Sequence, residues 1–190
     1  TLVRAGQWRT GLEVATFEVV HHPNSPKANY DAARVLAEIA LAGKQPELLA
    51  EAHRYFRRAA GLDRNDVGAF LAIWTSSEEP LPETDYHDLL LRLARRPLFG
   101  PDIEYLRNWL NCPKLTRCQL PPALVLPVFD AILQQPELAA DSRANVLALL
   151  ALYRADNLGD LAGAITLLQQ AAREKPKDPV YQLNLAQAFL

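Results

Sequence analysis

Histidine side chains are the residues of this sequence that most readily suggest metal chemistry. His21 and His22 are adjacent, but neighbouring helix positions point about 100° apart, so the two rings cannot chelate one ion together. They suit an exposed helix end, where His also interacts favourably with the helix dipole. His53 and His87 stand alone and fit surface or core-edge positions, and the sequence holds no HExxH pattern. No metal site is therefore predicted.

The two cysteines allow two interpretations. Cys112 and Cys118 enclose a five-residue segment whose spacing fits no zinc knuckle, and no His lies near them in the sequence. In a reducing compartment they would be small, partly buried hydrophobic residues. In an exported protein they would form a disulfide that closes this short loop.

Catalytic motifs are missing from the sequence, which contains no GxSxG, P-loop, GxGxxG or paired-carboxylate pattern. Glu78, Glu79, Asp85 and Asp88 fit a solvated loop and the start of a helix. We therefore predict that the chain is not an enzyme and holds no cofactor.

Charge and hydropathy narrow the range of partners. The sequence has 20 basic and 22 acidic residues, a net charge of -2, and no cluster of Lys and Arg, so nucleic acid is not an expected partner. Charges interrupt every long apolar stretch, so these residues are not expected to insert into a membrane. Because the first residue is Thr1 and Met is absent, we expect a processed or excised part of a longer protein.

Apolar residues recur at helical spacing along nearly the whole chain. Val146, Leu149, Leu150 and Tyr153 mark one such face. Sustained strand-like alternation is absent, and Pro and Gly fall between the helical windows. The predicted fold class is all-α, with helices at 7–21, 26–42, 46–61, 66–77, 84–95, 101–111, 121–135, 139–155, 160–174 and 179–190.

The C-terminal third carries an internal repeat. Its marker residues are Leu149, Tyr153, Gly159, Ala164, Leu168, Ala171 and Pro176. This pattern resembles the tetratricopeptide repeat, in which small residues let two helices approach and Pro ends the second. The interval between Tyr153 and Gly159 is about two residues too long for that family, so an enlarged turn is expected at 155–158.

Earlier segments match the repeat less closely. Ala52, Phe56 and Ala59 follow the same small-large-small order, after about seven surplus residues that imply longer helices or a longer loop near Gly43. Between Ser76 and Pro136 no match is found. Seven prolines in this stretch are each expected to stop or start a helix: Pro80, Pro82, Pro97, Pro101, Pro113, Pro121 and Pro122. The predicted divisions are 1–77 (degenerate repeats), 78–137 (irregular helical segment) and 138–190 (repeats, the last one incomplete).

A second resemblance rests on HHPNSPKANY, CQLPP and DLAGAITLLQQAAREKPKDP. These segments resemble the soluble tail of bacterial membrane proteins related to protein O-mannosyltransferases. The resemblance implies a repeat-bearing tail in the periplasm, and a cytoplasmic location is the alternative.

The repeat resemblance also implies a partner-binding face, because the first helix of each tetratricopeptide pair lines the concave surface. The residues expected there are Lys27, Tyr30, Arg34, Glu38, Arg154 and Gln187. Tyr30 and Arg34 occupy the positions of the Lys and Asn that clamp a peptide carboxylate in this family, so no such clamp is expected. Ala32, Ala33 and Leu36 are predicted to face inward. The alternative interpretation is a solvated helix face.

The predicted function is a non-catalytic interaction module that binds a peptide or partner protein on a concave helical surface. The alternative is the acceptor-presenting tail of a membrane-embedded glycosyltransferase. A third possibility is a scaffold that associates with its own copy, through the concave face or the C-terminal helix. There Leu183, Leu185, Ala186 and Phe189 form an apolar face that requires a cover.

Overall fold

The computed structural model describes residues 11–63, 66–115 and 118–187, and all regular secondary structure within these ranges is helical. The predicted all-α fold class is therefore confirmed. The helices are α1 (Gly11–His21), α2 (Pro26–Gly43), α3 (Pro46–Leu62), α4 (Gly68–Ser76), α5 (Glu83–Arg95), α6 (Gly100–Leu115), α7 (Pro122–Leu133), α8 (Ala140–Leu158), α9 (Leu161–Glu174) and α10 (Pro179–Gln187).

Two compact units make up the chain. The first contains Thr1–Arg92 and Cys112–Gln119, and the second contains Leu93–Asn111 and Leu120–Leu190. Residues of the predicted segment 78–137 fall in both units.

Short polar and proline signals set the helix starts. Pro26 and Pro46 occupy the first helical positions of α2 and α3, where the missing N–H has no intrahelical acceptor in any case. Ser25 caps α2 by accepting a hydrogen bond from the Ala28 amide at 3.2 Å. Asp160 caps α9 in the same way through the Gly163 amide at 2.8 Å.

The first unit is built around the hairpin of α2 and α3. Only Lys44 and Gln45 connect these helices, so they run antiparallel, and their lengths of 18 and 17 residues account for the surplus relative to the repeat. Alanine dominates the buried positions, which include Asn29 and Phe56 besides Ala28, Ala32, Ala33, Ala37, Ala40, Ala52, Ala59 and Ala60. Side chains this small let the two backbones approach closely.

Arg92 of α5 secures the chain beyond the end of α3. Its guanidinium donates to the carbonyl oxygens of Ala60 at 2.9 Å, Asp63 at 2.8 Å and Asp66 at 3.0 Å. It also pairs with Asp88 at 2.9 Å and lies 4.9 Å from the ring centroid of Phe70. Arg92 thus donates to the Ala60 carbonyl, which lies in the last turn of α3 and lacks an intrahelical partner, and to two carbonyls of the segment that follows.

The second unit contains the repeat pattern of α8, α9 and α10. Ala144, Leu147, Ala171, Ala172 and Tyr181 form one buried cluster of this unit. A second cluster contains Ala151, Ala164 and Leu168, with Leu185 packed against it. Small residues therefore occupy the helix contacts, as the repeat pattern predicts.

The ends of the helices correct two predictions. The expected enlarged turn at 155–158 is wrong, because α8 continues to Leu158 and Gly159 ends it in the left-handed conformation with φ 64°. Pro113 does not stop a helix, since it lies inside α6 only two residues before the helix ends. Pro113 has no N–H to donate to the carbonyl of Trp109 four residues earlier.

The exposed side of α10 carries apolar residues beside the polar Gln182. Leu183 is 61% exposed and Val180 is also exposed, whereas Tyr181 is buried and Leu185 is half-buried. Phe189, part of the same predicted face, lies outside the described residues. Only one side of α10 is thus covered by α8 and α9.

Candidate partner-binding surface

Four of the six predicted partner-binding residues lie together on the outer face of α2. At about 100° per residue, the exposed positions of this helix fall within an arc of about 120°, apart from Ile39 and Gly43, and the half-buried Tyr30 and Asp31 lie in the same arc. We call this arc the α2 face; it consists of Lys27, Tyr30, Asp31, Arg34, Glu38, Leu41 and Ala42. Ala32 and Ala33 point away from it and are buried, as predicted, and Leu36 is half-buried.

Opposite charges alternate along the α2 face. Lys27 Nζ donates to Asp31 Oδ2 at 2.6 Å, and Arg34 Nη1 donates to Glu38 Oε1 at 2.6 Å. Exposed pairs of this kind each contribute about 0.3–0.5 kcal/mol, and the order of a base before an acid is the weaker one on a helix. These two ion pairs therefore stabilise α2 only slightly.

Asp31 was not among the predicted partner-binding residues. Its position four residues after Lys27 nevertheless indicates that the two side chains are neighbours on one helix face.

Tyr30 is less free than predicted. Its ring meets the buried Phe56 of α3 edge-on, with ring centroids 5.3 Å apart and planes at 69°. Such a contact adds to packing. Tyr30, predicted to lie on the partner-binding face, therefore also packs against a core residue, so substitutions of Arg34 and Glu38 test the surface with less effect on packing.

Arg154 lies in α8, and its side chain reaches the turn between α8 and α9. Its Nη1 lies 2.9 Å from Asp160 Oδ2, and Asp160 in turn caps α9. The pKa of Asp160 is lowered, first by the hydrogen bond from the Gly163 amide and then by that from Arg154. The Arg154 side chain therefore stabilises the turn between α8 and α9.

Gln187 is the last residue of α10, and its side chain lies outside the part that the structure describes. It belongs, like Arg154, to the second unit, whereas the α2 face belongs to the first.

His53 and Ser76 form a contact that the sequence did not suggest. His53 Nε2 lies 2.9 Å from Ser76 Oγ, and the hydroxyl donates to the Ala72 carbonyl at 2.8 Å. A nucleophilic Ser must instead give its proton to the base. Ser76 is also buried, so this pair joins α3 to the end of α4 and is not arranged as a reactive centre.

Burial shifts the titration of His53. Its pKa lies below the ordinary 6.5, mainly because of desolvation and then because of the Arg57 charge, while Asp85 opposes the shift. Arg57 and Asp85 are themselves paired at 2.8 Å. His53 therefore favours its neutral form in the folded protein.

We expect the free energy of unfolding to decrease on acidification because of His53. An unfolded His53 binds a proton near pH 6.5, whereas the folded one resists it, so stabilisation is complete above that pH and is lost below it. Denaturant titrations of the wild type and His53→Gln between about pH 7.5 and about pH 5 measure the effect. The variant should show the smaller pH dependence, and equal slopes would contradict this assignment.

His21, His22 and the two cysteines have local partners, and His87 is exposed. His21 Nδ1 lies 2.9 Å from the Phe17 carbonyl oxygen, and His22 Nε2 lies 3.9 Å from Glu18 Oε2. Cys112 and Cys118 are buried and joined in a disulfide, with Cα atoms 5.7 Å apart. Across the described ranges, no three His, Cys, Asp or Glu side chains come together as a metal site.

No helix among the described residues combines the length and the apolar character needed to cross a membrane. Comparison with known proteins yields no match, whether to protein-family models, curated proteins or solved structures.

Proposed function

We propose that this chain is a non-catalytic interaction module that binds a protein or peptide through the α2 face. The observation that supports this most directly is the separation of roles on α2. Small buried alanines hold the helix against its neighbours, while long charged side chains and Leu41 collect on the opposite arc. Arg and aromatic side chains are frequent anchors of binding surfaces.

The architecture supports the same proposal. Helix pairs with small residues at their contacts occur in both units, in α2 and α3 and again in α8 and α9. Stacked helical pairs of the tetratricopeptide type expose extended surfaces that serve binding. We therefore propose a helical-repeat scaffold.

The disulfide supports a location in an oxidising compartment, and we propose the periplasm. Disulfides persist in exported proteins and are rare where thiols are kept reduced. Cys112 and Cys118 are bonded to each other, and no free cysteine remains in this chain.

A photocrosslinking amino acid in place of Arg34 tests the binding surface. Expressed in cells and irradiated, this variant should form a covalent adduct with a defined protein. Excess unlabelled wild-type chain should suppress an adduct with a different protein by competing for that protein, whereas in an adduct between copies the wild-type chain is itself the crosslinked partner. The identity of the adduct follows from its mass and its peptides.

Arg58 provides the matched control position, since it is an exposed arginine on α3 rather than on the α2 face. The crosslinker placed there should give no competable adduct. Equal adducts at positions 34 and 58, or none at position 34, would contradict the proposed surface.

A further inference from the structure

The charges of the α2 face are self-complementary. Their order along the helix is Lys27, Asp31, Arg34, Glu38, which is positive, negative, positive, negative. If a second α2 lies antiparallel across this face, Lys27 meets the second copy's Glu38 and Asp31 meets its Arg34. The same two pairs recur on the other side of the twofold axis, as an isologous interface requires.

This complementarity selects one register. A shift of one helical turn in the antiparallel arrangement places Lys27 against Arg34 or Asp31 against Glu38, which are like charges. A parallel arrangement in register places each charge against its own kind. Like charges that face each other are unfavourable, so the centred antiparallel pairing is preferred over these alternatives.

We propose that the α2 face binds the α2 face of a second copy of this chain, antiparallel and about a twofold axis. The proposal rests on the proposed function and names its partner. The four charges span roughly 17 Å along the helix, at 1.5 Å per residue. Each one keeps its partner on the same helix and gains an opposite charge from the second copy.

The chemistry of the face determines how strong this association is. All four charged groups remain partly or largely exposed, with 82% of the Lys27 side chain and 53% of the Arg34 side chain accessible. Exposed charges are screened over about 10 Å at 0.1 M salt, so added salt weakens the pairing. The dimer is consequently weak, reversible and sensitive to ionic strength.

A charge-separation experiment tests the proposal on the purified 190-residue chain. The variant Lys27→Glu/Arg34→Glu makes the face wholly acidic, and Asp31→Lys/Glu38→Lys makes it wholly basic. In analytical ultracentrifugation at about 0.05 M salt, the wild type should dimerise, and about 0.5 M salt should weaken the dimer at least about tenfold. Each variant alone should be monomeric, and an equimolar mixture should form a heterodimer.

Two controls separate loss of pairing from loss of folding. Arg54→Glu/Arg58→Glu changes two arginines to acids on α3 and should leave self-association intact. Circular dichroism and thermal melting should show that each variant is folded. If a reversal variant is unfolded, the neutral variant Arg34→Gln/Glu38→Gln replaces it and should weaken the dimer.

The results distinguish this proposal from the function on which it rests. A wild-type chain that is monomeric at all concentrations and at low salt overturns pairing between copies. So does a mixture of folded variants that fails to associate. If position 34 nevertheless crosslinks to a different protein, the interaction module stands and its partner is not a second copy.

Discussion

Replacing Arg92 with Ala is expected to lower the free energy of unfolding by roughly 3 kcal/mol. Its guanidinium is the donor for the carbonyls of Ala60, Asp63 and Asp66 and the partner of Asp88. Truncation removes this donor from three carbonyls in part-buried hydrogen bonds, of which that of Asp63 keeps a hydrogen bond from the Asp66 amide, and each group left without a donor carries a desolvation penalty of about 1–3 kcal/mol. Denaturant titration followed by circular dichroism measures the change.

Two further variants locate the cause of this loss. Arg92→Lys keeps the positive charge but loses the planar fork, so it should be intermediate in stability. Arg95→Ala removes an exposed arginine from the same helix and should change the free energy of unfolding by less than about 0.5 kcal/mol. An Arg92→Ala protein as stable as Arg95→Ala would show that solvent replaces these hydrogen bonds without cost.

The helices were predictable because their signals are local. Apolar periodicity depends on residues three and four apart, and Pro26 and Pro46 mark helix starts through their own fixed geometry. Gly159 likewise marks the end of α8, and the structure places it directly after the last helical residue. The error at 155–158 arose because two surplus residues can lengthen a helix by half a turn as readily as they enlarge a turn.

Contacts between distant parts of the chain were not predictable. The Arg92 bonds reach back 26 to 32 residues, and His53 meets Ser76 across 23 residues. No sequence pattern specifies such partners, since they depend on how α3, α4 and α5 pack. The same limit explains Tyr30, whose place on an outward face was predictable while its contact with Phe56 was not.

The residues of the candidate surface were predictable in part, less well than the helices and better than the long-range contacts. Register on a single helix is a local property, so Lys27, Arg34 and Glu38 were predicted together and are found together on α2. Arg154 required knowledge of the turn after α8, where Asp160 engages its guanidinium. The sequence therefore predicts on which face of its helix a surface residue lies, but not which residues from other parts of the chain it contacts.

Reduction of the disulfide between Cys112 and Cys118 is expected to lower the free energy of unfolding by about 2 kcal/mol. The crosslink closes a short loop, with a sequence separation of 6 residues, and the entropy that it removes from the unfolded chain grows only slowly with loop length. The bonded segment also packs in the first unit, where Trp74 Nε1 donates to the Gln119 carbonyl at 3.0 Å. Denaturant titrations with and without reductant measure the difference.

The double variant Cys112→Ala/Cys118→Ala is the matched control for this experiment. It should be destabilised to a similar extent, and because it has no cysteine, reductant should not change it further. Thiol titration of the native wild-type protein should detect no free thiol before reduction and two after reduction and unfolding. Two reactive thiols in protein isolated from an oxidising compartment would contradict the disulfide, and unchanged stability after verified reduction would show that the loop is held by packing alone.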